Sequence, residues 1–314
     1  MLPLAVLAAA LAGAGAVSQQ AREARLEASL HRLTTFWCEE FPESGGAMAA
    51  EALGFAFHPN ATLHPALSSV SVANWPAVAV PAVTAVGMGG LCPIIEHVVF
   101  QGTEWFAAAM TFPPWTKNGC AHPHRRILFG RMDEQGRMLE MFENNPLDPA
   151  EFAGATDGKP RECRRSRPPP EQVARHRAME ERYLDFTFNM AQDVLLSKNF
   201  EAEQLTVNGD PIARATLHAM LGAAVGHSPF FVSPIQTHYM GPNELLIEAT
   251  LVSRATEGPC KGAVLRVPYV IDYVTFDKDD NIAAARVFGG DALFAHYAKC
   301  AAMAAAADPG RTEL

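Results

Sequence analysis

The chain has 314 residues, 49% of them hydrophobic and 19% charged, with a mean hydropathy of +0.01. That composition is globular, and the length suggests about two domains. A formal net charge of -9 and a pI of about 5.7 leave no basic footprint for nucleic acid, so no nucleic-acid partner is expected.

In chain order, residues 1–18 come first, with an apolar run from Leu2 to Val17 that ends in the small residues AGAGAVS. This reads as a signal peptide, too short for a span of ~20 apolar residues, and predicts secretion or the secretory pathway. Residues 19–150 open with an amphipathic helix, REARLEASLHRLTTFWCEEF. A short strand, ATLHP, comes next, then a helical region expected to be interrupted by Pro76 and Pro81, then long strands. Residues 151–170, rich in Pro, Gly and Arg, read as a linker. Residues 171–300 repeat the order: the helix EQVARHRAMEERYLDFTFNMAQDVL, the strand LTVNGDP, the helix IARATLHAMLGAAV, then long strands. Residues 301–314 form a tail. Helices ahead of a mostly antiparallel sheet make an α+β layout.

The two halves are copies of one pattern. FGRMDEQGRMLEMFENN (Phe129 to Asn145) and YVTFDKDDNIAAARVFG (Tyr273 to Gly289) align without a gap, each as strand, Asp-initiated turn and strand. The same offset pairs ATLHP with LTVNG, and a slightly shorter one pairs the loops TKNGC and TEGPC. All four Trp lie in the first copy and all five Tyr in the second. Six cysteines allow 15 disulfide pairings, and none has the C-x-x-C spacing of a zinc or redox motif. Asn60 heads an N-x-T sequon and is a candidate glycosylation site.

One residue breaks the local rules. Asp272 sits mid-strand in VPYVIDYVTF, where Asp is depleted and an unpaired carboxylate is costly. Alternation puts Val270, Asp272, Val274 and Phe276 on one face, where burial would raise the Asp272 pKa. Tyr269, Ile271, Tyr273 and Thr275 share the other face. It is too apolar for open water, which predicts a sheet-to-sheet contact with a homodimer partner or with the other half. His64, His97 and His238, with His58, His122 and His124, match no ligand spacing, so no metal and no cofactor is expected. His64, His97, His238 and Phe276 remain pocket candidates. Asp210, ahead of Pro211, reads either as a chemical group or as the N-cap of the helix after it.

Helix, strand turning at D-P or H-P, helix, then strands closing on F-D-x-x-G-x-I resemble the NTF2-like superfamily, which includes SnoaL-like cyclases and ketosteroid isomerase. The resemblance implies two tandem copies of a cone, a curved sheet wrapped around a long helix to enclose an apolar pocket. In the second half VIDYVTFDKDDNI, ERYLDF and LTVNGDP resemble the isomerase segments that carry its protonated aspartate, its oxyanion-hole tyrosine and its base. That implies Asp272 and Tyr183 as hydrogen-bond donors and Asp210 as general base, a set of roles that is a standard worked case of pKa tuning. The function so implied is metal-free proton transfer, of isomerase, cyclase or dehydratase type, on a small apolar carbonyl compound. If an enzyme, the protein would be an isomerase or lyase. LTVNGDP holds one residue more than the family's strand end, and the first half has Leu128 at the position of Asp272 and no tyrosine, so that half reads as degenerate. The alternative is a non-catalytic module that binds a small apolar ligand or dimerises.

Overall fold

The computed structural model describes residues 19–44, 47–65, 70–86, 90–113, 115–117, 120–122, 125–144, 170–188, 206–207, 210–211, 231–255 and 260–307. The signal-peptide segment, residues 151–169 of the linker, the helix expected after Pro211 and residues 308–314 lie outside them; residues 301–307, expected as tail, continue the last helix. The chain divides into two compact units between Ser166 and Arg167, with Val99–Gly102 grouped in the second. It is an α+β protein.

The first unit opens with α1 (Gln19–Thr35), which buries Leu26, Ser29, Leu30 and Leu33 on one stripe at helical spacing. Ser29 is tolerated there because its hydroxyl donates to Arg25 O at 2.9 Å. A single π turn, Phe36–Glu40, comes next, in which Phe41 N–H reaches back to Phe36 O. It leads into α2 (Phe41–Ser44), and Phe36, Trp37 and Phe41 cluster edge-on or tilted with centroids 4.8–6.0 Å apart. Then come α3 (Ala49–Ala56), β1 (Phe57–Pro65), β2 (Val70–Ser71) and α4 (Trp75–Val86). The expected interruption of α4 does not occur. Pro76 falls in its first turn, where the missing N–H costs nothing, and the helix continues through Pro81 in an alanine-rich stretch. The unit is completed by β3 (Ile94–Gln101), β4 (Trp105–Thr111), β5 (Trp115–Lys117), β6 (Cys120–His122), β7 (Arg125–Met132) and β8 (Met138–Glu143). The described strands order as β2-β1-β8-β7-β4-β3, with β1 parallel to β8, while β5 and β6 form a separate hairpin around TKNGC.

The second unit has α5 (Pro170–Phe188), β9 (Thr206–Val207), β10 (Asp210–Pro211), β11 (Phe231–Gly241), β12 (Glu244–Arg254), β13 (Val264–Phe276), β14 (Ile282–Phe288) and α6 (Asp291–Ala307). Its antiparallel sheet runs β11-β12-β13-β14, the same neighbour order as β3-β4-β7-β8. The copies differ where β1 would be matched. Residues 206–207 and 210–211 fold back on each other as an antiparallel pair, Asp210 opposite Val207, whereas β1 pairs parallel with β8, with a register shift between Phe57 and Thr62. A disulfide lies inside each unit, Cys38–Cys92 and Cys260–Cys300. Cys163 and the side chain of Cys120 lie outside the described residues.

The repeat holds down to single hydrogen bonds. Asp133 Oδ1 accepts the N–H groups of Gln135 (2.8 Å) and Arg137 (2.9 Å), and Asp277 Oδ1 accepts those of Asp279 (2.8 Å) and Asn281 (2.9 Å). Each turn places one residue in the left-handed region, Gly136 at φ 75° and Asp280 at φ 59°. Each is also held by an arginine of the unit's long helix. Arg22 Nε donates to Glu134 O at 3.1 Å, and Arg182 Nη1 donates to Asp280 O at 2.6 Å. Arg175 adds a 2.7 Å bond to the Asp280 carboxylate.

Glycine at 136 is required twice over, by its positive φ and because a Cβ would lie 2.5 Å from Arg22 O. Gly136→Ala is expected to destabilise the first unit by at least about 2 kcal/mol, the upper end of the left-handed penalty, with the clash added. Gly54→Ala, in α3 with nothing within 4 Å of the new Cβ, is expected to stabilise it by up to about 1 kcal/mol. Denaturant midpoints read by tryptophan fluorescence check both, because every Trp belongs to this unit.

Candidate functional site

The site grows from β13, a long strand that reads VLRVPYVIDYVTF. Its neighbours β12 and β14 pair along its C-terminal half, with Ile247 opposite Asp272 on one side and Val287 on the other. A central position with both edges paired has no water to offer a side chain, and Asp272 is 1% exposed. Across from it, α5 turns His176, Met179 and Tyr183 inward at spacings of three and four, and all three are buried. The Tyr183 hydroxyl donates to Asp272 Oδ2 at 2.8 Å. Asp272 Oδ1 has no hydrogen-bond partner among the described residues. Val270, Val274 and Phe276, from the same strand, are buried too.

Burial pushes the Asp272 carboxyl up to about 7, against the opposing pull of the Tyr183 hydrogen bond. The Tyr183 phenol is driven far above its ordinary value, first by burial and then by the neighbouring carboxylate, so it keeps its proton. A carboxyl titrating near neutrality, beside a phenol that does not, can accept or donate at Oδ1. His176, about two turns back along α5 from Tyr183, donates to Gly241 O at 3.1 Å, and burial holds its pKa below the usual value.

Other residues singled out from sequence are distributed elsewhere. His238 bonds Glu248 Oε1 at 2.7 Å. Glu248 pairs with Ile271 rather than Asp272, so this contact is on the opposite face of the sheet. His64 bonds Glu140 Oε1 at 3.1 Å and stacks on Phe142, which stacks on Phe129, the face of β7 away from Leu128. His97 is exposed on β3, and Asn60 is exposed on β1. Asp210 has a described backbone in β10, but its side chain and the helix it was expected to cap lie outside the described residues. Tyr183 and Asp272 are therefore the two expected groups that meet.

Sequence reasoning missed Glu248. It is wholly buried and accepts from His238 and, at 2.6 Å, from the Tyr269 hydroxyl. An acid in the apolar strand LLIEATLV is the same signal that drew attention to Asp272. On the far face of β13, Tyr269 and Ile271 are buried and Tyr273 and Thr275 half-buried. Burial and the adjacent Glu244 raise the Tyr273 pKa.

The first unit carries no equivalent pair. Leu128 lies at the hairpin position of Asp272. In the long helices ARLEASLHRLTTF aligns with ARHRAMEERYLDF, Arg25 with Arg175 and Arg32 with Arg182, which sets Leu33 at that of Tyr183. Both leucines are buried. The polar pair belongs to one copy.

No protein-family model matches the chain, and no curated protein matches it. Among solved structures it is similar to an NTF2-like protein involved in plasmid conjugation, over 64% of this chain and 79% of that one, at 8% identity and a TM-score of 0.22.

Between about pH 4 and about pH 7 the folded chain keeps a proton on Asp272 that the unfolded chain has released. The stability from this residue is thus full below the unfolded value and is lost as pH rises to the folded one, by up to about 1.4 kcal/mol per pH unit. Asp272→Asn is expected to flatten that slope and to be more stable than wild type above about pH 7. Urea midpoints followed by far-UV circular dichroism across this range measure it.

Proposed function

We propose that the second unit is a SnoaL-like or ketosteroid isomerase-like site that moves a proton on a small apolar carbonyl compound without a metal. The observation that carries the reading is the buried Tyr183–Asp272 pair, with Asp272 Oδ1 left without a partner among the described residues. Removing a proton next to a carbonyl builds negative charge on oxygen, and neutral donors in a dry site stabilise that charge far more than water-exposed ones. Tyr183, held protonated, and Asp272 in its neutral form are such donors. Asp210 is the proposed base, taking the proton and returning it elsewhere on the substrate. The two disulfides and the exposed sequon at Asn60 support a secretory-pathway location.

One observation favours the rival reading of a non-catalytic module that holds an apolar ligand. Tyr183 directs its proton to Asp272, so the two groups already satisfy each other in part. The proposed contact of the far sheet face with a second copy or with the other half fits either reading.

The test is exchange of α-protons for deuterium from D2O, read by mass spectrometry across a panel of small apolar ketones. Wild type is expected to catalyse exchange, and Tyr183→Phe and Asp272→Ala to lose about 10²- to 10³-fold. Asp272→Asn, which can still donate a hydrogen bond, is expected to lose less than Asp272→Ala. The rate should fall above about pH 7 as Asp272 loses the proton it donates, and Asp272→Asn should abolish that limb. Equal losses for Asn and Ala would remove Asp272 as a neutral donor. No exchange with any ketone, together with a co-purified apolar ligand, would establish the binding module instead.

A further inference from the structure

A second group of chemically competent side chains lies where α6 meets the turn ahead of β13. His296 and Cys300 are four residues apart on α6, so they share one helix face. Cys260 sits in a turn whose backbone is fixed by hydrogen bonds, Ala263 N to Cys260 O and Gly262 N to Ala255 O, both 2.9 Å. One ligand atom from each residue, the two sulfurs and an imidazole nitrogen, all lie within 4.8 Å of one another. Cys260 and Cys300 are joined as a disulfide, and His296 Nε2 is 3.6 Å from Cys300 Sγ.

The contact between His296 and Cys300 fits tetrahedral zinc. With Zn–S near 2.3 Å and Zn–N near 2.0–2.1 Å, a tetrahedral ion sets S···N at roughly 3.6 Å and S···S at roughly 3.8 Å. One of the two sulfur–nitrogen edges, His296 to Cys300, is already at that length. The sulfur–sulfur edge is prevented only by the covalent bond, and two thiolates released from it would separate to van der Waals distance, close to the tetrahedral edge.

We propose that Cys260, His296 and Cys300 form a thiol-gated zinc site. A dithiol reductant opens the disulfide by exchange, and its two thiols close into a disulfide of their own. Two electrons and two protons pass to the protein, giving two cysteine thiols. Zinc then binds both sulfurs and the imidazole, the two thiol protons leave to water, and a water molecule takes the fourth position. In either form α6 stays tied to the start of β13, by a covalent bond under oxidising conditions and by a metal under reducing ones.

The experiment titrates Co2+ into the full chain, oxidised and after reduction by a phosphine that is then removed, and follows the thiolate-to-cobalt and visible ligand-field bands of a tetrahedral site. His296→Ala is the informative variant, because it leaves every cysteine in place and can be checked for folding in its oxidised form. Reduced wild type is expected to bind Co2+ with a tetrahedral spectrum, to exchange it for Zn2+, and to bind more tightly than the oxidised protein. Reduced His296→Ala is expected to bind more than about tenfold more weakly, since even groups outside the ligand set cost that much. Absence of the tetrahedral spectrum in reduced wild type, or equal affinity and spectrum in His296→Ala, would overturn the proposal. The second outcome would assign the binding to the other cysteines of the chain.

Discussion

Each unit depends on a carboxylate that closes a hairpin. Asp133 and Asp277 accept two backbone N–H groups each, which fixes the turn, and the turn fixes the register of the two strands it joins. A slip of one residue would exchange the two faces of the sheet. Arginines from the long helix then bind the same turn, so helix and hairpin are located relative to each other at one polar point. Packing is built out from that point. Leu26, Leu30 and Leu33 in one copy, and Met179 and Tyr183 in the other, have their depth set by the anchorage.

The hairpins were readable in the sequence because their chemistry is local. An Asp that opens a four- or five-residue turn between alternating strands states its own hydrogen bonds. Asp272 was readable for a different reason, as an acid among apolar neighbours. The meeting of Asp272 with Tyr183 could not be read from spacing, since 89 residues separate them; it came from a family resemblance, and the 2.8 Å contact gives it geometry. Glu248 was overlooked although LLIEATLV carries the same contradiction. Its partners, His238 and Tyr269, come from the two flanking strands, and their convergence depends on a register that no single segment contains. The run of α4 through Pro81 was also misjudged, since propensity marks where a helix is costly, not where neighbouring structure sustains it.

Two buried acids lie back to back in the second unit, one residue out of step across the β12–β13 pairing. Glu248 accepts from an imidazole and a phenol, one on each oxygen. Among the described residues, Asp272 accepts from the Tyr183 phenol alone. The difference separates a carboxylate whose oxygens are both engaged from one with an oxygen that no described residue engages. A half-satisfied buried group is costly to retain, which is the condition under which a fold keeps one for use rather than for rigidity.

Leu33 and Leu128 give that cost a reference. Two copies of one backbone pattern hold, at matched positions, two buried leucines and a phenol–carboxyl hydrogen bond. In a solitary domain, a mutation that introduced a buried acid would be tolerated only if the margin of stability allowed it. In a duplicated chain one copy can keep the oily version while the other drifts toward the polar one. The leucine pair is thus a record of what the position is when nothing is asked of it, carried in the same molecule as the exception.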